Sequence, residues 1–144
     1  MIYTALTNKA LRVAYAAHAG QLDKCGAPYI AHPLHVAEQM DDEVSTCVAL
    51  LHDVVEDSDI TLDDLAREFP PEVVEGVRLM THEPSVDYLD YVRAIKGHPV
   101  AQKVKLADLA HNSDQTRFAG CDVSPEKLAA YQRKYAAARE VLLG

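Results

Sequence analysis

The sequence predicts an all-α fold, and three observations support this prediction. Apolar residues recur at spacings of three and four along most of the chain, as on the buried face of a helix. No segment shows the alternation of apolar and polar β-branched residues that is typical of strands. Proline, glycine and helix-capping residues divide the chain at short intervals, as in a helical bundle. We therefore expect a single helical domain over residues 1–144, without repeats or linkers.

The first part of the chain is predicted to form three helices. The first covers about residues 5–20 and ends at Gly20, because glycine suits the residue that follows a helix. The second begins at Pro33, since proline is favoured in a first turn, and extends to about Met40. The third is predicted as one continuous helix over about residues 42–57, with valine and leucine on its buried face.

Five further helices are predicted in the second part. Thr61 and Ser124 are suitable N-caps, Pro70-Pro71 separates two helices, and either Ser85 or Asp87 begins a third. These helices are predicted at about residues 61–69, 72–80, 85–96, 100–118 and 124–143.

Composition excludes several classes of function. The formal net charge of −8 argues against nucleic-acid binding, because phosphate backbones are bound mainly by lysine and arginine. No apolar run approaches the roughly 20 residues of a membrane helix. A small anionic substrate is compatible with this charge if a bound cation and nearby basic residues reverse the local field.

The cysteines predict a reducing environment. Cys25, Cys47 and Cys121 are odd in number and form no C-x-x-C pair, which argues against a disulfide framework. We therefore expect free thiols and a cytoplasmic location.

The segment ALLHDVVEDS is the most informative one. In a continuous helix His52 lies one turn from Glu56, and Asp53 lies one turn from Asp57, so each pair shares a face. Four ionisable groups in an apolar helix are costly unless a cation or partner compensates them. For this segment alone a solvated helix end, with His52 bonded to a backbone carbonyl, stays open as the alternative.

Two other segments offer metal ligands. In VKLADLAHN, Asp108 lies between apolar residues and shares a helix face with His111 and Asn112. In PYIAHPLHVA, His32 lies where a loop becomes a helix, and we prefer it to His35 as a ligand. Two imidazoles and two carboxylates form a mixed nitrogen and oxygen set that suits Mn²⁺, Fe²⁺ or Zn²⁺.

Taken together, these segments resemble a known family. HxGQ at 18–21, GxPYIxHPLxVA at 26–37, ALLHDVVEDS at 49–58 and VKLADLAHN at 104–112 resemble the RelA/SpoT-type hydrolase domain of the HD superfamily, in order as well as in wording. The resemblance covers about the first 118 residues. It implies a helical bundle of the HD type and a metal-dependent (p)ppGpp 3′-pyrophosphohydrolase that converts ppGpp to GDP and pyrophosphate.

The resemblance also implies roles for individual residues. One divalent cation, Mn²⁺ in this family, is expected to be bound by four ligands, two acids are expected to orient and activate the attacking water, and two residues are expected to contact the nucleotide. The four ligands are His32, His52, Asp53 and Asp108, the two acids are Glu56 and Asp57, and the nucleotide contacts are Asn112 and Lys24.

One residue departs from the family pattern. The loop after HxGQ usually carries two adjacent basic residues, whereas this chain has Asp23 before Lys24, which weakens the expected recognition of guanine. An HD phosphohydrolase for another nucleotide or phosphorylated metabolite is therefore an alternative, and a non-catalytic nucleotide-sensing module is a second one. Because no synthetase domain follows Gly144, we expect hydrolysis alone. The oligomeric state stays open.

Overall fold

Nine α-helices and one 3₁₀ helix follow one another in the computed structural model, which describes all 144 residues. The helices are α1 (Ala5–Ala17), α2 (Ala31–Glu38), α3 (Glu43–Leu51), α4 (Val54–Asp57), α5 (Leu62–Ala66), α6 (Pro71–Met80), α7 (Tyr88–Ile95), α8 (Pro99–Asn112), the 3₁₀ helix (Gln115–Phe118) and α9 (Pro125–Leu143). There is no strand, and the one β-type pairing is an isolated bridge between Leu22 and Pro28. The all-α prediction is confirmed.

Side-chain caps fix where several helices begin. The Thr61 and Ser124 side chains accept hydrogen bonds from amides in the first turns of α5 and α9, as predicted. Asp87, rather than Ser85, caps α7 by accepting from the Asp90 amide. The Asp42 carboxylate accepts from the Ser45 amide and so begins α3, the helix that leads into the candidate site.

Three predicted helix boundaries are wrong. Helix α1 ends at Ala17, and Gly20 lies in the following turn with φ +79°, a conformation that favours glycine. The helix predicted over residues 42–57 is interrupted at His52 and Asp53, which separate α3 from α4. The helix predicted over residues 100–118 ends at Asn112, and a short 3₁₀ helix follows it.

Helix α3 lies at the centre of the core. Every residue from Ser45 to Leu51 is buried, and α3 packs against α1, α2, α6 and α8. Helix α6 approaches closely because Gly76 has no side chain, and a Cβ atom there would lie 2.6 Å from Val48 Cγ2. The C-terminal end of α3 is therefore held firmly between α2 and α8, the two helices that carry the other predicted ligands.

The expectation of free thiols is wrong for two of the three cysteines. Cys25 and Cys121 form a disulfide, with Cα atoms 5.2 Å apart, whereas Cys47 is free and buried. The bond joins the loop before α2 to the segment after the 3₁₀ helix, two regions 96 residues apart that only the tertiary fold brings together. None of the helices combines the length and the apolar character required to cross a membrane.

Candidate metal centre

The four predicted metal ligands converge from three elements. His32 lies in the first turn of α2, His52 and Asp53 form the turn between α3 and α4, and Asp108 lies in α8. The Nε2 atom of His32 lies 2.8 Å from Asp108 Oδ1 and 3.8 Å from Asp53 Oδ2. The Nε2 atom of His52 lies 3.1 Å from Asp53 Oδ2 and 3.4 Å from Asp108 Oδ1. The ligand atoms of His32, His52 and Asp53 all lie within 4.8 Å of one another, which suits one cation with bonds of about 2.0–2.2 Å, and Asp108 lies beside both histidines.

His52 provides the clearest test of whether these residues fit a cation. Its side chain is almost fully buried, and its Nδ1 atom donates to the carbonyl oxygen of Ala49, 2.6 Å away. Nε2 faces the carboxylates of Asp53 and Asp108 at 3.1 and 3.4 Å. Although burial opposes it, these two carboxylates raise the pKa of His52 in the protein without a cation. A divalent cation at this place would replace the proton on Nε2 and compensate both carboxylates, and the neutral imidazole would be its ligand.

His32 is oriented by a second histidine. Its Nδ1 atom lies 2.7 Å from Nδ1 of His111, and the two rings stack nearly parallel with centroids 5.0 Å apart. Burial and the nearby Arg117 lower the pKa of His111 to about 4, so His111 is neutral near pH 7. Its Nδ1 atom can then accept a hydrogen bond from a protonated Nδ1 of His32. This arrangement leaves Nε2 of His32 available to a cation, as is usual for histidine ligands with a hydrogen-bonded second nitrogen.

Asp108 is surrounded by donors on its own helix. Lys105 Nζ donates to Oδ2 at 2.9 Å, and Asn112 Nδ2 donates to Oδ1 at 3.1 Å. Although burial opposes ionisation, Lys105 together with His32 and His52 holds the pKa of Asp108 well below its usual range. Asp108 is therefore a charged carboxylate, suited to a cation.

Asp53 has an aromatic partner from the loop before α2. The Tyr29 hydroxyl donates to Asp53 Oδ2 at 2.5 Å. Burial raises the pKa of Asp53, but His52 and the other imidazole outweigh this effect and lower it overall. Burial and Asp53 both raise the pKa of Tyr29, so this phenol keeps its proton and acts as a donor.

Glu56 and Asp57 lie on α4, next to the four converging side chains but outside them. A carboxylate oxygen of Glu56 accepts a hydrogen bond from the backbone amide of His82. The backbone oxygen of Asp57 accepts from Gln21 Nε2 at 2.7 Å. Partial burial and the nearby Asp53 raise the pKa of both carboxyl groups, as a group that accepts a proton near neutral pH requires.

A cavity of about 300 Å³ opens beside His32. Both predicted nucleotide contacts line it, together with Arg117 and residues of the 21–29 loop. Lys24 Nζ lies 3.6 Å from the centre of the Tyr131 ring on α9, at the side of the cavity. Asn112 lies deeper, where its side-chain amide donates a hydrogen bond to Asp108 and accepts one from Arg117.

Four residues that support the site were given no role in it from the sequence. Helical spacing indicates one of them, because Lys105 lies three residues before Asp108 on the same face. Tyr29 and His111 lie inside the resembling segments, but no chemical role follows from their positions alone. From sequence, Arg117 at the end of the helix predicted over residues 100–118 is explained equally well by a pocket or by a helix surface, and the structure places it in the cavity wall.

A match to a known domain family agrees with this geometry. The sequence model described as "HD domain" matches residues 10–116, more than half of the chain. The chain belongs to the HD domain family. Its all-helical fold and its cluster of two histidines and one aspartate agree with this membership, and together they support a metal-dependent phosphohydrolase.

Relatives of this HD domain chain include much longer proteins. A "Probable GTP pyrophosphokinase" of Mycobacterium leprae is 36% identical over 142 residues, covering 90% of this chain and 18% of that protein. A "GTP pyrophosphokinase" of Streptomyces coelicolor is 36% identical over 123 residues, covering 76% of this chain and 14% of that protein. The chain thus spans less than a fifth of the length of these curated relatives.

A solved structure is similar over the whole chain. It is described by the words "A metazoan ortholog of SpoT hydrolyzes ppGpp and plays a role in starvation responses". The TM-score is 0.79 at 26% sequence identity, and the match covers 100% of this chain and 89% of that one. The resemblance to RelA/SpoT-type proteins predicted from sequence is confirmed by these matches.

Proposed function

We propose that this HD domain chain is a Mn²⁺-dependent (p)ppGpp 3′-pyrophosphohydrolase, which converts ppGpp to GDP and pyrophosphate. The similar solved structure is that of a protein described as hydrolysing ppGpp, and it matches the chain from end to end. The pyrophosphokinase names of the curated relatives describe whole proteins of which this chain spans less than a fifth. We assign the reaction to a single domain over residues 1–144 in the cytoplasm, where the Cys25–Cys121 bond would be exposed to reduction.

One observation carries this proposal. The Nε2 atom of His52 is buried, is oriented by the Ala49 carbonyl, and faces the carboxylates of Asp53 and Asp108 at 3.1 and 3.4 Å. A solvated helix end would leave this atom in contact with water. A divalent cation bound by His32, His52, Asp53 and Asp108 would act as a Lewis acid toward the phosphate and lower the pKa of a water molecule.

The remaining roles follow from the positions of the side chains. Glu56 and Asp57 would orient the attacking water and accept its proton, since both lie beside the ligands with raised pKa values. The water oxygen bonds to the phosphorus atom that is attached to the 3′ oxygen. The bond between this phosphorus and the 3′ oxygen breaks, and the 3′ oxygen takes up a proton. Asn112 and Lys24 line the cavity in which the nucleotide would lie.

Asp23 supports a second candidate function, an HD phosphohydrolase for another nucleotide or phosphorylated metabolite. Its carboxylate lies in the cavity wall, where the family pattern has a basic residue that helps to hold the base. The hydrolytic centre does not depend on this residue. A change of substrate is therefore compatible with an intact metal site.

The test is an assay of the purified chain with Mn²⁺ and ppGpp, in which GDP and pyrophosphate are separated by anion exchange. We expect both products in equal amounts, and no turnover after chelation of the metal. If ppGpp is not cleaved while another nucleotide in a panel is, the second candidate replaces the first. If no phosphorylated nucleotide is cleaved but one binds, the chain is a sensing module and the proposed reaction is wrong.

A further inference from the structure

Arg117 is a basic side chain in the cavity whose role none of the family segments explains. It lies in the 3₁₀ helix that directly follows α8, so its position is linked to that of Asp108. Its Nη1 atom donates to the His111 carbonyl at 3.0 Å and to Asn112 Oδ1 at 3.3 Å. The side chain is three-quarters buried, and the guanidinium is thus held in one place against the cavity wall.

The second guanidinium nitrogen faces Asp23. Nη2 of Arg117 lies 3.9 Å from Asp23 Oδ2, close enough for attraction but too far for a hydrogen bond. The other oxygen, Oδ1 of Asp23, accepts hydrogen bonds from the amides of Cys25 and Ala27 at 2.8 and 3.0 Å. Asp23 therefore stabilises the conformation of its loop. It does not accept a hydrogen bond from Nη2 of Arg117, so this nitrogen can still donate one to a bound anion.

The charges around the cavity also favour an anion. The chain as a whole has a formal net charge of −8, yet Lys24 and Arg117 line this cavity against the single acid Asp23. A planar guanidinium donates two parallel hydrogen bonds to phosphate and is weakly hydrated, so it binds phosphate readily. Arg117, next to Asp23, supplies a positive charge to a cavity whose loop has an acid where the family pattern has a base.

We propose that Arg117 is a specificity-determining residue that binds the phosphate group of a nucleotide that is not attacked, the 5′ diphosphate in the case of ppGpp. The inference rests on the proposed function, because it assumes that the attacked phosphate lies at the His32 side of the cavity. It predicts a preference for nucleotides with phosphate at both ends. Asp23 keeps the guanidinium in place in the free protein and competes with the phosphate.

The experiment measures binding without hydrolysis. Calorimetry with Mn²⁺ compares GDP and guanosine on the parent protein, on Arg117→Gln, and on Arg67→Gln, which removes an equally charged but exposed side chain at the end of α5. We expect Arg117→Gln to weaken GDP binding roughly 10- to 100-fold, the range of a lost charged hydrogen bond, and to leave guanosine binding unchanged. Arg67→Gln should match the parent for both ligands. A melting curve for each variant checks folding.

Asp23→Asn provides a second variant that keeps the loop. Its amide oxygen can still accept from Cys25 and Ala27, while the competing negative charge is lost. We expect GDP to bind roughly 2- to 5-fold more tightly to this variant. Equal losses of GDP and guanosine affinity in Arg117→Gln, or a parent protein that binds both ligands equally, would overturn the inference. Failure of the parent to cleave ppGpp would instead count against the proposed reaction, because the GDP comparison does not depend on turnover.

Discussion

The contact between His32 and His111 controls the orientation of one predicted metal ligand. The two Nδ1 atoms are 2.7 Å apart, and a second imidazole, that of His35, stacks on His111 with centroids 4.0 Å apart. Because only one of the two Nδ1 atoms can carry the proton, His111 fixes which nitrogen of His32 is free. Partners of this kind commonly affect metal affinity nearly as much as the ligands do.

Replacing His111 by alanine should therefore weaken Mn²⁺ binding roughly 10- to 100-fold, without abolishing it. Titration calorimetry of the metal-free protein with Mn²⁺ measures this change. His35→Ala is the matched control, since it removes a stacked imidazole that has no contact with a ligand nitrogen. Equal affinities of His111→Ala and the parent would show that His32 needs no such partner.

Glu56 and Asp57 differ from the four ligands in a way that can be measured. Because they lie on α4 beside the converging atoms, Glu56→Gln and Asp57→Asn should retain the metal and lower turnover by roughly 10²–10⁴-fold. Metal analysis and initial rates on the same preparations provide both readings. Loss of the cation as complete as in Asp53→Ala would mean that these acids are ligands or structural groups.

At the level of single residues, spacing indicated the chemistry but not the partners. The pairing of Lys105 with Asp108 follows from positions three apart on one helix, whereas the contacts of Tyr29 with Asp53 and of His32 with His111 join distant segments. Such contacts depend on how helices pack, and one sequence does not contain that information. The Cys25–Cys121 bond was missed for the same reason.

Among the elements, α3 has the tightest packing. Gly76 of α6 lies against Val48, and a Cβ atom there would be 2.6 Å from Val48 Cγ2. Real carbon atoms do not approach so closely, so one of the helices would have to shift. Because His52 and Asp53 directly follow the last residue of α3, such a shift would also move two of the predicted ligands.

Gly76→Ala should accordingly lower the free energy of unfolding by roughly 1–3 kcal/mol, the usual cost of overpacking, even though alanine favours helix. Denaturant unfolding measures the change. Adding Val48→Ala should recover part of the loss, because it removes the methyl groups of α3 that clash, whereas Val74→Ala, which changes a valine of α6 itself, should not. If the Gly76→Ala and Val48→Ala double variant is no more stable than the sum of the two single changes in unfolding free energy predicts, this explanation is contradicted.

The helix pattern was largely predictable, and its main error has a physical cause. Residues 42–57 read as one helix because their apolar spacing continues through His52. In the structure the His52 ring bonds to the Ala49 carbonyl, and Asp53 adopts φ −104° and ψ 0°, outside regular helix geometry. The spacing of apolar residues gives no information about this hydrogen bond, in which a side chain competes with backbone amides for a carbonyl oxygen.

For the molecule as a whole, the disulfide is the longest-range covalent constraint. It joins Cys25, in the cavity wall, to Cys121, which precedes α9, across 96 residues of sequence. Closing a loop of about 100 residues is expected to stabilise a fold by roughly 4–5 kcal/mol, mainly by restricting the unfolded chain.

A reductant should therefore lower the melting temperature of the protein by roughly 10–20 °C. Calorimetry with and without dithiothreitol measures the shift, and a thiol titration under denaturing conditions confirms reduction. The Cys25→Ser and Cys121→Ser double variant should be insensitive to the reductant, while Cys47→Ala should respond as the parent does. The same melting temperature in both conditions would contradict a stabilising bond.

We propose that one divalent cation is bound where α2, the α3–α4 turn and α8 meet, by His32, His52, Asp53 and Asp108. Anomalous diffraction from crystals grown with Mn²⁺, recorded on either side of the manganese absorption edge, tests it most directly. We predict one strong peak within bonding distance of all four side chains, and none in crystals of His52→Ala. A peak elsewhere, or no peak beside these residues at saturating Mn²⁺, would contradict the account.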